Sequence, residues 1–64
     1  MNNIRVLRRR QNLTQDDVAK ELNISQQAIA KWETGAAMPR ADKLTELAKI
    51  LGCTIDDLMK SDDE

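Results

Sequence analysis

The chain has 64 residues, enough for one small domain, with 41% hydrophobic residues, one aromatic residue and a net charge of −1. It contains one cysteine, which excludes an internal disulfide or a zinc site built from several thiolates, and no histidine, the commonest general base. We therefore expect no enzyme activity, no cofactor and no bound metal. No apolar stretch approaches the ~18 residues of a membrane span and no signal-peptide pattern follows the first methionine, so we expect a cytoplasmic protein with no membrane partner.

The net charge hides a gradient along the chain. Residues 1–40 carry seven basic and four acidic side chains, a net charge of +3, whereas residues 41–64 carry three basic and seven acidic side chains, a net charge of −4. A nucleic-acid-binding surface needs local positive potential rather than a positive total, so the N-terminal part is the candidate. The alternative is a helical protein whose charges are simply uneven, and charge alone does not separate the two.

Hydrophobic spacing together with start and stop signals predicts five helices. The first begins at an asparagine cap and runs to about Gln11, the second spans about 15–22, and the third spans about 26–34. In the fourth, apolar residues recur over 44–51 with the i, i+3, i+4, i+7 spacing, and a short fifth helix ends near Met59. The residues expected to cap the helices or to turn the chain at their ends are Asn2 or Asn3, Asn12, Thr14, Asn23, Ser25, Gly35, Gly52 and Thr54.

The third helix has two chemically different faces. On a wheel of about 100° per residue, Ala28, Ile29 and Trp32 form an apolar arc. The opposite arc carries amide, hydroxyl, small and ammonium groups from Gln26, Gln27, Ala30, Lys31 and Thr34. A glutamine amide can pair with N6 and N7 of adenine, and a lysine ammonium with guanine or a phosphate. Isolated glutamines are usually solvated, and base reading is favoured here only within the two-helix motif described next.

The second and third helices have the spacing of a helix-turn-helix motif. Ala19 is small where the two helices would cross at close range, Asn23 tolerates the positive φ angle of a tight turn, and Ile29 faces back toward the first of the pair. The run LTQDDVAKELNISQQAIAKWETG, followed by Pro39 and LTELAKILG, resembles the Cro/phage-repressor family of helix-turn-helix domains. It departs from the usual pattern at Asn23, where glycine is commonest, and at Trp32, where a smaller aliphatic residue is usual.

The resemblance extends from Ile4 to about Met59 and implies an all-α, compact five-helix bundle of the phage-repressor DNA-binding type. Residues 1–60 would form this helix-turn-helix domain, and residues 61–64 are expected to be a flexible acidic tail. The family implies a sequence-specific transcription regulator, usually a repressor, that reads the major groove of a near-palindromic double-stranded DNA site as a homodimer, which can form on the DNA itself. The alternatives are a protein-interaction module that has lost DNA binding and an antitoxin or targeting domain of a larger system.

Carried over by position, the resemblance implies three sets of contacts. The base-reading residues would be Gln26, Gln27 and Lys31. The phosphate-contacting residues would be Gln15, Ser25, Thr34, Arg8, Arg40 and Lys43, of which Gln15 would also brace the first side chain of the recognition helix. The apolar residues left for a dimer interface near the C-terminal end are Ile50, Cys53, Ile55 and Met59.

Arg8 also has a predicted structural role. It shares a helix face with Ile4 and Leu7, so its charge should be partly buried and needs a partner. The resemblance supplies Glu33 as that partner, in an ion pair that would fix the first helix against the third. The neighbouring arginines Arg5, Arg9 and Arg10 are expected to form a solvated face.

Overall fold

Five α-helices account for most of residues 2–60, the part of the chain that the structure, a computed structural model, describes. They are α1 (Ile4–Arg10), α2 (Gln15–Leu22), α3 (Gln26–Thr34), α4 (Ala41–Leu51) and α5 (Ile55–Met59). No strand occurs between residues 2 and 60, so the predicted all-α, five-helix fold is confirmed. The predicted acidic tail at 61–64 lies outside the described residues. Within residues 2–60, no helix is long and apolar enough to cross a bilayer.

The starts of α2 and α5 are built in the same way. Thr14 accepts a hydrogen bond from the backbone N–H of Asp17 at 3.0 Å, and the Asp17 carboxylate accepts one from the backbone N–H of Thr14 at 2.9 Å. Thr54 and Asp57 repeat this reciprocal capping box at the start of α5. Each box satisfies backbone donors that a helix start otherwise leaves free, which is why these short helices begin where they do.

The helix ends turn through left-handed residues at the predicted positions. Asn12 follows α1 with a φ of 59°, and Asn23 ends α2 with a φ of 58°. Gly35 and Gly52 end α3 and α4 in the same conformation, which glycine adopts at little steric cost. Only Ile24 separates Asn23 from Ser25, the cap of α3, so the second and third helices are joined by the tight turn that the sequence predicted.

The start of α1 is held by a longer-range contact. Asn3 occupies the cap position, but within residues 2–60 its side chain makes no capping hydrogen bond. The buried side chain of Asn2 does so instead, because its Oδ1 accepts from the N–H of Ile4 at 3.1 Å. Its Nδ2 donates to the carbonyl of Trp32 at 2.7 Å and thereby ties the start of α1 to the C-terminal turn of α3.

The apolar faces of all five helices meet in one core. Its buried members are Ile4, Leu7, Val18, Ala19, Leu22, Ile29, Trp32, Leu47, Ala48, Leu51 and Leu58. Trp32, one of the two departures from the usual family pattern, packs in this core. Leu44, which the spacing assigned to the core, is only half-buried and packs at the core's edge, one turn into α4. The result is a bundle with a radius of gyration of 10.2 Å that holds α2 and α3 in a fixed relation.

Candidate nucleic-acid interface

The outer face of α3 is the candidate interface. Ile29 and Trp32 are buried, so the apolar arc of this helix faces inward. Gln26, Gln27 and Lys31 are exposed on the opposite side. Because the inward face is fixed by the core, the two amides and the ammonium are held outward on a rigid helix, where a groove-binding protein needs them.

Ser25 and Thr34 lie at the two ends of α3. Ser25 caps the helix, since its hydroxyl accepts from the N–H of Ala28 at 3.2 Å. The Thr34 hydroxyl donates to the carbonyl of Lys31 at 3.2 Å and accepts from the N–H of Ala36 at 3.4 Å. Both side chains are exposed and flank the outer face of α3.

The side chain of Glu33, on the inner side of α3, is fully buried, with 0% of its surface exposed. Both of its carboxylate oxygens accept from Arg8, Oε2 from Nε and Oε1 from Nη2 at 3.2 Å. Oε1 also accepts from Nε of Arg5 at 3.3 Å and from Nε2 of Gln15 at 3.0 Å. Burial alone would raise the pKa of the Glu33 carboxyl, but the hydrogen bonds from Arg8 and Gln15 and the charge of Arg8 outweigh burial and lower it.

The structure separates the two roles predicted for Arg8. Its side chain is only 10% exposed, and each of its three guanidinium nitrogens donates to a protein oxygen, two to Glu33 and Nη1 to the carbonyl of Leu13 at 2.7 Å. This geometry is that of a buried ion pair joining α1 to α3. The phosphate contact that was also expected of Arg8 stays a prediction.

Gln15 connects the buried ion pair to the exposed face. Besides donating to Glu33, it accepts a hydrogen bond on Oε1 from Nε2 of Gln26 at 3.3 Å. Gln15 is the first residue of α2 and is half-buried, between the covered carboxylate and the outer start of α3. Its position thus agrees with the expected bracing of the first side chain of the recognition helix.

Two basic residues near the start of α4 are expected to contact DNA. Their side chains differ in exposure and in their contacts within the protein. Arg40, at the cap position of α4, is 87% exposed, and its ionic partner among the described residues, Asp42, is distant at 3.8 Å. Lys43 is half-buried, and its Nζ donates to the carbonyl of Leu22 at 3.1 Å and lies 3.5 Å from Glu46. Lys43 thus satisfies a carbonyl that the end of α2 leaves open, and its expected phosphate contact stays a prediction.

A family model described as helix-turn-helix matches residues 4–58. The chain belongs to this helix-turn-helix family. The predicted resemblance to its phage-repressor type is confirmed, because similar proteins include a 26 kDa repressor protein of Escherichia phage HK022, 45% identical over 40 residues. That match covers 62% of this chain and 17% of the phage protein.

Two further similar proteins are regulators from cellular organisms. The HTH-type transcriptional activator BcrR of Enterococcus faecalis is 39% identical over 57 residues, which cover 89% of this chain and 28% of that protein. An HTH-type transcriptional regulator of Methanocaldococcus jannaschii is 35% identical over 63 residues, which cover 98% of this chain and 96% of that protein. The chain thus spans less than a third of the length of the activator and of the phage repressor.

The residues expected to join two copies of this helix-turn-helix domain do not form one uniform surface. Ile55 and Met59 on α5 are 40% and 39% exposed. Ile50 and Cys53 are half-buried and pack against the core, so they can contribute only the edge of a contact. Burial, and then the charge of Asp57, raise the pKa of the Cys53 thiol, which leaves it less reactive than an ordinary cysteine.

Three contacts of the helix-turn-helix domain were not predicted from the sequence. Arg5 was expected on a solvated face but donates to Glu33, Gln15 donates to the same carboxylate, and Asn2 reaches the end of α3. The spacing of Arg5 and Arg8, three residues apart on one helix, is the only signal that could have suggested a shared partner. The other two contacts join residues far apart in the chain, and no local pattern predicts them.

Proposed function

We propose that this domain is a sequence-specific DNA-binding transcription regulator that reads the major groove with α3. The observation that carries the proposal is the orientation of that helix, whose apolar side is buried while Gln26, Gln27 and Lys31 face outward. A major groove about 12 Å wide admits a helix, and amide and ammonium groups match the edges of adenine and guanine. Membership of the helix-turn-helix family supports the same function.

Phosphate contacts on either side of α3 would fix its register on the duplex. Gln15 has a second N–H on Nε2 beyond the one that it donates to Glu33, and it lies at the N-terminus of α2, where backbone N–H groups favour an anion. Ser25 and Thr34 flank α3, and the loop that follows supplies a cation in the exposed side chain of Arg40, whose ionic partner Asp42 lies 3.8 Å away. We assign the backbone contacts to these four residues.

The domain would bind as a homodimer on a near-palindromic site, with repression as its effect. Two recognition helices must lie one duplex turn apart, roughly 34 Å. The domain measures 29 × 23 × 20 Å, so two copies side by side can meet this spacing with only a small contact. Among the exposed large apolar side chains, Ile55 and Met59 lie near the C-terminal end, and we assign that contact to them. We propose repression because the chain is similar to a phage repressor. BcrR, another similar protein, is named as an activator.

Selection of binding sites from random duplex DNA tests this proposal, since it yields half-site sequence, symmetry and spacing together. The expected result is a near-palindrome with half-sites one turn apart. Replacing Gln27 by Ala should then weaken the preference at one or two adjacent base pairs by ~1–3 kcal/mol. Gln11→Ala is the matched control, because the Gln11 amide lies beside Gly52, near the α4–α5 turn. No enriched sequence, or a uniform loss over all sequences in Gln27→Ala, would contradict base reading by α3.

A further inference from the structure

Two consecutive residues before α1 bind carbonyl groups near the C-terminal ends of two other helices. The side-chain amide of Asn2 donates to the carbonyl of Trp32 in α3 at 2.7 Å. The backbone N–H of Asn3 donates to the carbonyl of Leu58 in α5 at 2.9 Å. We propose that this asparagine pair, Asn2 and Asn3, couples the two helices, so that DNA binding by α3 and pairing of two copies through α5 strengthen each other. This inference rests on the proposed function, in which α3 reads DNA and α5 carries the dimer contact.

At α3, Asn2 donates to a carbonyl of the last helical turn. The final carbonyls of a helix have no partner inside it and need a donor from elsewhere. The Trp32 carbonyl also accepts from the N–H of Gly35 at 3.3 Å, so the Asn2 amide, at 2.7 Å, is the closer of these two donors. The Asn2 amide therefore stabilises the turn that carries Lys31 and Thr34, two of the residues to which DNA contacts are assigned.

The buried side chain of Asn2 has two alternative states. It is 4% exposed, and both of its polar groups are paired, since Oδ1 accepts from Ile4 and Nδ2 donates to Trp32. An unpaired polar group inside the protein is unfavourable, so the side chain either lies buried with both hydrogen bonds or withdraws into water. Because the Cα of Asn2 and the N–H of Asn3 belong to one planar peptide group, withdrawal also moves that N–H away from Leu58. The two contacts therefore form and break together.

At α5, the contact from Asn3 supports a helix that is too short to be stable alone. This helix has five residues, and isolated helices shorter than ~12–15 residues are marginal in water. The side chain of Leu58 is 0% exposed, and its carbonyl receives the Asn3 N–H. The next residue, Met59, is 39% exposed and is one of the two residues to which the dimer contact is assigned. The order of the dimer surface thus depends on the asparagine pair.

The buried state of the asparagine pair orders both surfaces at once. DNA contacts by α3 favour an ordered last turn of that helix, and pairing through α5 favours an ordered end of that helix. Both events therefore favour the same state of the pair, and linkage requires that each strengthens the other by the same factor. One intramolecular hydrogen bond changes an equilibrium constant by roughly 2- to 12-fold, which sets the size of the coupling.

Amide hydrogen exchange in the free protein tests whether the pair acts as one unit. In Asn2→Ser the hydroxyl can still accept from Ile4 at the start of α1, but the Nδ2 donor to Trp32 is absent. Protection of the Asn3 backbone N–H, whose acceptor lies in α5, should fall by roughly 2- to 12-fold. Asn3→Ala is the matched control, because within residues 2–60 the Asn3 side chain makes no capping hydrogen bond and the backbone N–H is kept. Unchanged protection of this N–H in a folded Asn2→Ser variant would overturn the proposal.

A duplex with a single half-site tests the coupling in the unaltered protein. One copy bound to it contacts DNA through α3 and has no partner at α5. The Asn3 N–H should then exchange more slowly than in the free protein by roughly 2- to 12-fold. The N–H of Gly52, which donates to the carbonyl of Lys49 at 3.2 Å at the end of α4, should be unaffected. Equal slowing of both amides would be general stabilisation by a ligand and would overturn the coupling. If Asn2→Ser does not fold, this measurement decides.

Binding to duplexes with one and with two half-sites tests the consequence for pairing. In Asn2→Ser the gain in affinity from the second half-site should fall by roughly 2- to 12-fold, whereas a purely structural defect would weaken binding to both duplexes alike. Asn3→Ala should keep this gain within about twofold of the unaltered protein. If the unaltered protein binds neither duplex, or gains nothing from the second half-site, the proposed function fails and the coupling fails with it. If the gain is present and a folded Asn2→Ser variant keeps it, only the coupling fails.

Discussion

At the scale of single residues, the buried Glu33 is the least expected feature of so small a core. Placing a carboxylate out of water is costly, and the described residues offset this with four donor groups, two from Arg8 and one each from Arg5 and Gln15. Such a cluster stabilises the fold only while it is complete, because any partner left behind keeps a desolvated charge. Its members are therefore better regarded as one unit than as separate ion pairs.

Replacing Arg8 by Met tests this dependence. We expect a loss of about 3–5 kcal/mol in the free energy of unfolding, because the remaining donors leave Glu33 short of a full counter-charge in a buried place. This is a large part of the roughly 3–10 kcal/mol expected for a domain of this length. Urea unfolding followed by circular dichroism measures it. Arg9→Met, at an exposed position on the same helix, is the control.

The double variant R8M/E33M should recover a large part of that loss, since no buried charge is then unpaired. A loss in Arg8→Met no greater than in Arg9→Met would mean that the cluster contributes nothing to stability.

At the scale of helices, the turn between α2 and α3 sets the geometry of the motif. Asn23 has a φ of 58°, and the N–H of Ile24 donates to the carbonyl of Ala19 at 3.0 Å, closing the end of α2. The Nζ of Lys43 adds a side-chain donor at the Leu22 carbonyl. A change at Asn23 therefore acts on the angle at which α3 leaves α2, as well as on local strain.

Asn23→Ala should destabilise the domain by about 1–2 kcal/mol, because a Cβ without a polar group is disfavoured in the left-handed conformation. Asn23→Gly should cost little or stabilise slightly, since glycine adopts this conformation freely but loses more chain entropy on folding. Thermal unfolding of the two variants and of the unaltered protein gives the order of their stabilities. Equal stability of the Ala and Gly variants would contradict a role for the positive φ angle.

Local signals in the sequence predicted the helices and their ends. Contacts between helices could not be predicted in this way, because they join residues that are far apart in the chain. Thr14, Thr54 and Asn23 act within a few residues of themselves, so their roles could be predicted. The outward face of α3 followed from the 3.6-residue period. The donors that gather at Glu33 come from α1 and α2, and only the folded packing brings them together. Arg5 is exposed, as expected, but its contact with Glu33 was not predicted for this reason.

At the scale of the whole molecule, folding is linked to the ionisation of carboxyl groups, of which three within residues 2–60 have lowered pKa values. Hydrogen bonds from the backbone and hydroxyl of the capping threonines lower the pKa values of Asp17 and Asp57, and the pKa of Glu33 is lowered as described above. A carboxyl whose pKa is lower in the folded state than its ordinary value, 3.8 for Asp and 4.5 for Glu, favours folding above that value. This contribution is lost as the pH falls through the lowered pKa.

The free energy of unfolding should accordingly decrease as the pH is lowered below 4.5, the ordinary value for Glu. Urea titrations at a series of pH values measure the slope. The double variant D17N/D57N should show a shallower decrease, because the two capping carboxylates no longer titrate. A stability that stays constant from pH 6 to about pH 3 would contradict a lowered pKa for these groups.

The distribution of charge over the molecule leads to a last prediction, which separates DNA binding from a protein-interaction role. Residues 1–40, which contain the motif and Arg40, carry a net charge of +3, and residues 41–64 carry −4. The total of −1 therefore does not oppose binding, provided that the basic side meets the phosphates. Each phosphate neutralised by a cation releases counterions, so log affinity falls with log salt at a slope of about −0.9 per contact.

If Arg40 of each copy in the proposed dimer neutralises one phosphate, Arg40→Gln should reduce the magnitude of that slope by about 2 and weaken binding to all sequences alike. Lys49→Gln, which also removes one exposed positive charge, from α4, should leave the slope unchanged. Fluorescence anisotropy on a selected duplex, between about 50 and 200 mM salt, gives both values. Weak binding with no salt dependence would favour the interaction module, because a surface that does not neutralise phosphates releases no counterions. A steep slope that Arg40→Gln leaves intact would keep the DNA-binding function and move the phosphate contact to another residue.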